Sequence, residues 1–245
     1  MQRQAHAALD AASRYPKAAK IHQLLDLPEA GERERRLLEI GTGAGVIASY
    51  FARLRSPRYV VEAVDTIDQR QLSEGYAFQL VEGTQLPYAD ASFDIVISNH
   101  VIEHVGDAPE QLRHLLEIAR VLKPVGQAYL AVPSRWQIVE PHYRLAWLSW
   151  LPASWRTPYL RLRQAGQDYD CRPLSKRQLE CMLRDAGLAY RNVLPQALDI
   201  FVRQEKAGSW LASLASRLPR RLLSSAAALS PTHAYLLSHR RDGRP

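Results

Sequence analysis

The segment that most constrains the fold is residues 37–47, which read Leu-Leu-Glu-Ile-Gly-Thr-Gly-Ala-Gly-Val-Ile. An apolar run carrying one acid leads into three glycines at alternate positions, and a helical pattern follows. This order predicts a β-strand, a tight turn and a helix start whose backbone N–H groups point at whatever lies above the turn. Glycine suits the turn because the chain bends sharply and a ligand must approach the backbone closely. The segment therefore predicts a cofactor-binding loop.

The spacing of the glycines narrows the class of cofactor. A dinucleotide fingerprint, and hence a nicotinamide-dependent oxidoreductase, would need a glycine at Val46, whereas the third glycine is Gly45. Glu39, just before the turn, would repel a pyrophosphate and attract an ammonium or sulfonium group. The pattern E-x-G-x-G-x-G is similar to the nucleotide loop of the class I S-adenosylmethionine-dependent methyltransferases. A glycine-rich turn of another α/β protein is the alternative that this motif leaves open.

Further motifs follow in the order of the same family. The β-branched run Tyr59–Val64 closes at Asp65, twenty residues after the last glycine of the loop. Residues 81–88 and 92–105 resemble the family's next two motifs, at the ends of its third and fourth strands. The resemblance is to the methyltransferase type 11 family and runs from about residue 37 to residue 132, and more loosely to the C-terminus.

The resemblance implies cofactor contacts for each matching residue. Asp65 would accept hydrogen bonds from both ribose hydroxyls. Glu82, where the family usually has aspartate, and Gly83 would flank the adenine. Glu39 would anchor the methionyl ammonium through the backbone or a water, and Asn99 would approach the methionyl portion. The loop itself would be shaped by Gly41, Gly43 and Gly45.

The alternation of strand and helix patterns predicts one α/β domain over residues 1–245, with a doubly wound, mostly parallel, seven-stranded sheet. A helical lead-in occupies residues 1–35, with its helix from about Gln4 to Leu27. The resembled family has an antiparallel last strand, inserted beside the sixth. The predicted strands are Leu37–Ile40, Tyr59–Val64, Ala77–Val81, Phe93–Ser98, Gln127–Val132, Ala189–Val193 and Thr232–Ser238.

Two helix starts carry recognisable caps. Asp107 with Glu110 predicts a capping box for the helix that follows the fourth strand, and Ser175 with Gln178 predicts another. Residues 123–126, Lys-Pro-Val-Gly, should end the first of these helices.

Two insertions exceed the sheet framework. Residues 133–173 hold four of the five tryptophans and several arginines, and they follow the fifth strand, so they should form a helical, aromatic-rich cap over the ligand crevice. This cap either covers a large apolar or lipid-linked acceptor or only packs on the sheet. Residues 195–231 form a second helical insertion, whose amphipathic part from Ser209 to Leu229 allows peripheral membrane contact. Because Pro219 interrupts it, packing against the cap is the favoured interpretation.

The chemistry expected of the cofactor requires a nucleophile held in line with a sulfonium methyl group, and an oxygen nucleophile also needs a base. Histidine has a suitable pKa. The candidates are His100 and His104 after the fourth strand and His142 in the cap, where Glu140 lies nearby. A structural hydrogen bond in a turn is the alternative for His142. The acceptor is predicted to be a small or lipid-linked hydroxyl compound.

The histidine-rich turn also needs weighing as a metal site. His100-Val-Ile-Glu103-His104 matches a metallopeptidase signature, but it follows a strand directly and lacks a long helix and a third ligand. The region also resembles ubiquinone-pathway O-methyltransferases, in which Glu-x-x-Glu-His binds a divalent ion; here His100 replaces the first acid. The favoured interpretation is that Glu103 and His104 orient the turn, and no metal is predicted.

Composition bears on partners and compartment. The net charge of +7 could favour nucleic acid or an anionic surface, but the basic residues are dispersed and no RNA-binding module is recognisable. We therefore do not expect a nucleic-acid partner, although an RNA methyltransferase and a non-catalytic S-adenosylmethionine-binding protein stay open as alternatives. Two unpaired cysteines and the lack of a signal peptide or spanning segment predict a cytoplasmic protein.

Overall fold

A computed structural model describes residues 11–25, 34–55, 58–140, 143–204 and 231–240 of the chain. The described strands are β1 (Arg35–Ile40), β2 (Tyr59–Asp65), β3 (Ala77–Leu80), β4 (Phe93–Asn99), β5 (Leu122–Pro133), β6 (Val139–Glu140), β7 (Leu145–Ala146), β8 (Leu188–Asn192) and β9 (Thr232–His239). The described helices are α1 (Ala11–Leu25), α2 (Val46–Ala52), α3 (Ala108–Val121), α4 (Ala153–Leu162), α5 (Lys176–Asp185) and α6 (Leu194–Gln204).

Seven of these strands form one sheet in the order β3-β2-β1-β4-β5-β9-β8. The first five strands run parallel, and β9 lies antiparallel between β5 and β8. This confirms the predicted sheet and its antiparallel last strand. Because β1 pairs with β2 on one side and β4 on the other, the strand order reverses at β1. Ligands of open α/β sheets bind at such a switch point, at the carboxyl ends of the strands; we call that end the carboxyl edge.

Side chains alternate between the two faces of the sheet and build a core on each. In β1, Leu37 faces the core that α1, α2 and α6 cover, whereas Leu38 faces the core that α3 and α5 cover. All-round burial of this kind is expected of a parallel strand with helices on both faces. The central strands are therefore held from both faces, and the loops that leave the carboxyl edge start from a firmly packed sheet.

Of the two capping boxes predicted from the sequence, the one at α5 is complete and the one at α3 is present only in part. Ser175 and Gln178 form a complete capping box at the start of α5. At α3 the Asp107 side chain accepts from the Glu110 N–H over 3.2 Å. The prediction of a capping box there is wrong, because the Glu110 carboxylate bonds to Arg113 and Thr84 instead of returning to the cap.

The structure also shifts some element boundaries. Helix α3 ends at Val121, before the predicted stop at residues 123–126, and β5 begins at Leu122 rather than Gln127, because the chain passes from helix directly into a strand that pairs with β4. The connection between β2 and β3 contains no helix. Of the predicted lead-in helix, residues 11–25 are observed, and the remaining residues lie outside the described parts. No helix among the described residues is long and apolar enough to cross a bilayer.

Residues 133–173, the cap, leave β5 at the carboxyl edge. They comprise the short hairpin β6–β7, the 3₁₀ turn Leu148–Trp150 and helix α4. Helix α4 packs against that turn, and the Arg156 guanidinium donates to the Ser149 carbonyl over 3.1 Å. The second predicted insertion is described only as far as Gln204, the end of α6, so the amphipathic stretch from Ser209 to Leu229 lies outside the described residues.

Candidate active site

The glycine loop (Gly41–Gly45) joins β1 to α2 at the carboxyl edge. Its three glycines have φ angles of 74°, 52° and 80°, which side chains rarely allow. At Gly45 there is a second reason, since a Cβ atom would overlap the Leu72 carbonyl oxygen and the Tyr76 hydroxyl. The Leu72 N–H donates to the Ala44 carbonyl over 3.1 Å. The segment after β2 is therefore closed onto the loop, and the loop needs glycine for backbone geometry and for space.

Glu39 ties the loop to the elements on either side of it. Its buried Oε2 accepts from the Thr42 hydroxyl over 2.6 Å and from the Ala48 N–H over 2.9 Å. Burial raises the pKa of Glu39 to about 8, although both hydrogen bonds and the nearby Arg14 act to lower it. Because the Glu39 side chain accepts these two hydrogen bonds, anchoring of an ammonium through the Glu39 backbone or a water stays a prediction.

Asp65 occupies the carboxyl end of β2, directly beside the glycine loop. Its Oδ2 accepts from the Gly43 N–H over 2.9 Å, and its Oδ1 accepts from the Thr66 N–H over 2.7 Å. A carboxylate at the end of the strand next to β1 is where the sequence predicted the ribose ligand.

The other predicted cofactor residues follow β3 and β4. Glu82 and Gly83 are exposed in the turn after β3, which the Val81 N–H fastens to the Asp65 carbonyl over 3.0 Å. Gly83 has a φ of 69°, but a Cβ atom there would meet only open space, so its glycine is needed for backbone conformation alone. Asn99 is the last residue of β4. The structure thus gathers all the predicted cofactor residues at one edge of the sheet.

The turn after β4 comprises residues 100–104, and we call it the acceptor turn after its predicted role. It brings two imidazoles to one buried carboxylate. His100 Nδ1 lies 3.5 Å and His104 Nε2 lies 3.8 Å from Glu103 Oε1, while the Glu103 side chain is fully buried. Neither Glu103 oxygen has a well-formed hydrogen bond to another described residue. Burial raises the pKa of Glu103, but the two imidazoles outweigh burial, and the net shift is downward. The carboxylate is therefore ionised between them.

The two histidines differ in what their other ring nitrogens contact. His104 Nδ1 lies 3.7 Å from the Cys171 sulfur, so both of its nitrogens face protein groups. His100 directs Nδ1 to Glu103, which leaves Nε2 facing away from that carboxylate. His100 also has a left-handed backbone, with φ of 58°, an arrangement that costs energy in residues other than glycine. Strain of this kind concentrates at functional sites.

Cys171 links the cap to the acceptor turn. Its sulfur lies 3.6 Å from Asp170 Oδ1 as well as 3.7 Å from His104, and the Tyr143 hydroxyl donates to the same Asp170 oxygen over 3.0 Å. Among the described residues, His104, Asp170 and Cys171 are the group whose ligand atoms could hold a metal ion. Burial, with the nearby carboxylates, raises the pKa of Cys171 far above its usual range. A neutral thiol accounts for these contacts without a metal.

Sequence reasoning missed one cation near the cofactor loop. Arg14 on α1 lies close enough to Glu39 to act on its pKa, and burial lowers the pKa of Arg14 itself. Lys17, also partly buried, has its pKa lowered by burial and then by Arg14 and Lys20. No sequence motif marks Arg14, because it lies in a helix separated from the loop along the chain.

The third catalytic candidate, His142, lies outside the described residues. Beside it, the buried Glu140 carboxylate accepts from the Tyr143 N–H over 2.8 Å. Two surface hollows, which share Arg58 in their lining, lie at the other end of β2 and do not adjoin the glycine loop. We do not assign them to the site, because ligands of this architecture bind at the carboxyl edge.

Comparison with known proteins agrees with this architecture. A family model described as a methyltransferase domain matches residues 4–193. A protein of Mycobacterium sp. (strain JLS), named an uncharacterized methyltransferase, is 40% identical over 104 residues, which are 40% of this chain and 38% of that relative. The match therefore spans about two fifths of this curated relative.

Solved structures show the same fold at low sequence identity. YcgJ from Bacillus subtilis superposes with a TM-score of 0.53 at 18% identity, covering 92% of this chain and 98% of YcgJ. Phosphoethanolamine N-methyltransferase 2 of Haemonchus contortus, solved with S-adenosylhomocysteine, superposes with a TM-score of 0.52 at 17% identity. The superposition covers 91% of this chain and 51% of that protein. The fold is thus that of the class I, Rossmann-like methyltransferases. The chain belongs to the methyltransferase-domain family of S-adenosylmethionine-dependent methyltransferases.

Proposed function

We propose that this protein transfers the methyl group of S-adenosylmethionine to a hydroxyl oxygen of a small or lipid-linked acceptor. The observation that supports an oxygen target is the buried, ionised Glu103 between His100 and His104. A hydroxyl must lose its proton as it attacks, and an imidazole held by a carboxylate is well suited to remove it. Family membership supports the cofactor and says nothing of the acceptor.

The residues at the carboxyl edge fit S-adenosylmethionine in charge and in donor type. Asp65 would exchange its bond to the Gly43 N–H for the ribose hydroxyls, which releases that N–H towards the ligand. Glu82 and Gly83 would flank the adenine. When bound, the cofactor supplies a methyl group made electrophilic by its sulfonium. Everything else in the reaction is left to the residues of this chain.

The methionyl end of the cofactor carries an ammonium and a carboxylate. Arg14 suits the carboxylate, since it lies close enough to Glu39, two residues before the loop, to act on the pKa of that side chain. Asn99 at the end of β4 suits the ammonium through its carbonyl groups. Glu39 would contribute indirectly, by holding the glycine loop in shape.

Among the described histidines we assign the base to His100. Glu103 holds its Nδ1, so Nε2 would take the proton of the acceptor hydroxyl and pass it to solvent. His104, which contacts Glu103 and Cys171, would position the turn and the cap. His142 stays a candidate from sequence. Cys171 and Cys181 are not joined by a disulfide, which supports our proposal that the reaction takes place in the reducing cytoplasm.

Binding experiments test the cofactor. In calorimetric titrations the protein should bind S-adenosylmethionine and not NADH, and Asp65→Ala should weaken binding of S-adenosylmethionine about a hundredfold, because a charged acceptor is lost. Asp68→Asn, in the same connection, is the matched control and should bind normally. Binding of NADH alone would overturn the assignment, and unchanged affinity in Asp65→Ala would remove the ribose contact.

Transfer experiments test the acceptor and the base. Label from methyl-labelled S-adenosylmethionine should enter hydroxyl compounds of a lipid extract. His100→Asn should lower kcat about a hundredfold with little change in cofactor affinity, since asparagine tolerates the left-handed backbone at this position. Label entering RNA, with activity that falls steeply as salt is added, would instead favour an RNA methyltransferase. Tight binding of the cofactor with no transfer to any acceptor would favour a non-catalytic binding protein.

A further inference from the structure

The cap exposes an unusual number of large apolar side chains. We call this surface the Trp face; each of its members has between 42% and 79% of its area accessible. They are Trp136, Ile138, Val139, Trp147, Trp150, Trp155 and Leu162. Apolar patches of this kind on a folded chain mark interaction surfaces rather than ordinary solvent-exposed surface.

Several members of the Trp face adjoin one another. Trp150 lies edge-on to Trp136 and to Trp147, with ring centroids 5.3 and 5.1 Å away. The Trp147 N–H donates to the Ile138 carbonyl over 2.7 Å, which sets the hairpin residues beside the tryptophans. On α4, Trp155 and Leu162 are seven residues apart and so project from the same side of the helix. Three of the four tryptophan rings thus form one group instead of scattered exposures.

Arginines outnumber carboxylates two to one in the cap. Residues 133–173 contain six arginines and three carboxylates; the Glu140 side chain is buried, and Asp168 pairs with Arg161 over 3.0 Å. Arg144, in the turn of the β6–β7 hairpin, and Arg163, at the end of α4, are both exposed. The Arg135 guanidinium lies 5.4 Å from the centre of the Trp136 ring. Tryptophan with arginine is the composition that favours the interface of an anionic bilayer.

We propose that the Trp face docks on the surface of a membrane containing anionic phospholipids. Tryptophan rings would enter the headgroup region with Ile138, Val139 and Leu162, while the arginines meet lipid phosphates. The aliphatic members distinguish this partner from a nucleic acid, whose bases stack on rings and gain nothing from aliphatic side chains. Because the cap leaves the carboxyl edge, docking would bring the acceptor turn close to the bilayer, where a lipid-linked acceptor resides.

Co-sedimentation with vesicles tests the proposal without any need for activity. The full chain should sediment with vesicles of phosphatidylglycerol and phosphatidylcholine and far less with phosphatidylcholine alone. Trp147→Ser with Trp155→Ser should weaken binding about tenfold or more. Val125→Ser is the matched apolar control: Val125 is 93% exposed and lies near the start of β5, at the opposite edge of the sheet, so binding should be unchanged.

A pair of charge variants tests the electrostatic part. Arg144→Asn with Arg163→Gln should weaken binding to the anionic vesicles about tenfold, whereas Arg53→Gln with Arg55→Gln, after α2 at the other edge, should do much less. Equal sedimentation with both lipid mixtures, or equal effects of face and control variants, would overturn the proposal. So would variants that lose binding to RNA while keeping binding to vesicles. Methyl transfer to a water-soluble acceptor should be unchanged in the face variants, so failure here leaves the proposed function untouched.

Discussion

The glycine loop and the cap both lie at the carboxyl edge, yet they satisfy their polar groups in opposite ways. Around the loop, the carboxylates of Glu39 and Asp65 each accept two hydrogen bonds from neighbouring residues. Where the acceptor turn meets the cap, Glu103 and the buried Tyr169 hydroxyl have no well-formed hydrogen bond to another described residue. The loop is shaped by its own contacts, whereas the region under the cap holds polar atoms that an acceptor could satisfy.

The largest effect should come from the acceptor turn. Glu103→Gln keeps the shape of the side chain but removes the charge that holds His100. We expect kcat to fall about a hundredfold or more with a nearly unchanged dissociation constant for S-adenosylmethionine, because the imidazole loses the carboxylate that orients it.

Glu74→Gln, an exposed residue in the β2–β3 connection, is the control and should behave as wild type. A loss of rate in Glu103→Gln that comes with a lower midpoint of thermal unfolding would mean that Glu103 supports the fold of the turn without acting on the histidines. The difference in hydrogen bonding between the glycine loop and the cap region would then have no bearing on catalysis.

A tenfold effect is expected on the loop side. Arg14→Gln should weaken binding of S-adenosylmethionine about tenfold in calorimetry, because one charge-assisted contact to the carboxylate is lost. S-adenosylhomocysteine, which keeps that carboxylate, should lose the same factor. Arg53→Gln removes a charge at the other edge and should have no effect. If Arg14→Gln binds both ligands normally, the methionyl carboxylate has a different partner.

The two regions also differ in how much of their structure could be predicted from the sequence. The loop was predictable residue by residue, since a glycine spacing and two acids at strand ends are set by local geometry and the register of parallel strands. The parallel sheet followed from the alternation of strand and helix patterns, and the antiparallel last strand followed from the family resemblance. Arg14 was not predictable, because its approach to Glu39 depends on how α1 packs over the sheet. Nor was the Cys171 contact with His104, which joins positions 67 residues apart.

The cap was predictable in composition but not in its backbone. Its tryptophans suggested either a cover for an apolar acceptor or packing on the sheet, and the structure shows four of them between 42% and 67% exposed, with Trp150 donating to the Gln137 carbonyl over 2.9 Å. Aromatic content alone does not say which side of an insertion faces the crevice. That depends on the turns of the hairpin, where Arg144 and Trp147 adopt left-handed backbones that no sequence rule assigns to them.

A smaller effect concerns stability and pH. The pKa of Glu39 is raised to about 8 in the folded protein from 4.5, so the folded state binds a proton that the unfolded state has released. The free energy of unfolding should therefore fall as pH rises between these values, by about 2 kcal/mol from pH 6.5 to 8. The buried His114, with its pKa lowered to about 4, acts oppositely but only below about pH 6.5.

Urea unfolding of Glu39→Gln at several pH values isolates the contribution of Glu39 to the pH dependence of the unfolding free energy. The variant keeps an acceptor for the Ala48 N–H and should show a flatter dependence of unfolding free energy between pH 6.5 and 8. Glu34→Gln, at the exposed start of β1, should retain the wild-type slope. A wild-type stability that stays constant over this window would mean that Glu39 is ionised when folded, and the loop would then carry a full buried charge.

The smallest effect is expected from removing metal ions, and it bears on the cap side of the comparison. If His104, Asp170 and Cys171 only fasten the cap to the acceptor turn, dialysis against a chelator should leave kcat and the midpoint of thermal unfolding unchanged. Cys171→Ser should then cost about 1 kcal/mol of unfolding free energy, because a buried sulfur is replaced by a smaller, more polar oxygen. Loss of activity on chelation, restored by zinc in wild type but not in Cys171→Ser, would instead make these three residues metal ligands, and the buried Glu103 beside His104 would become the carboxylate that orients a ligating imidazole.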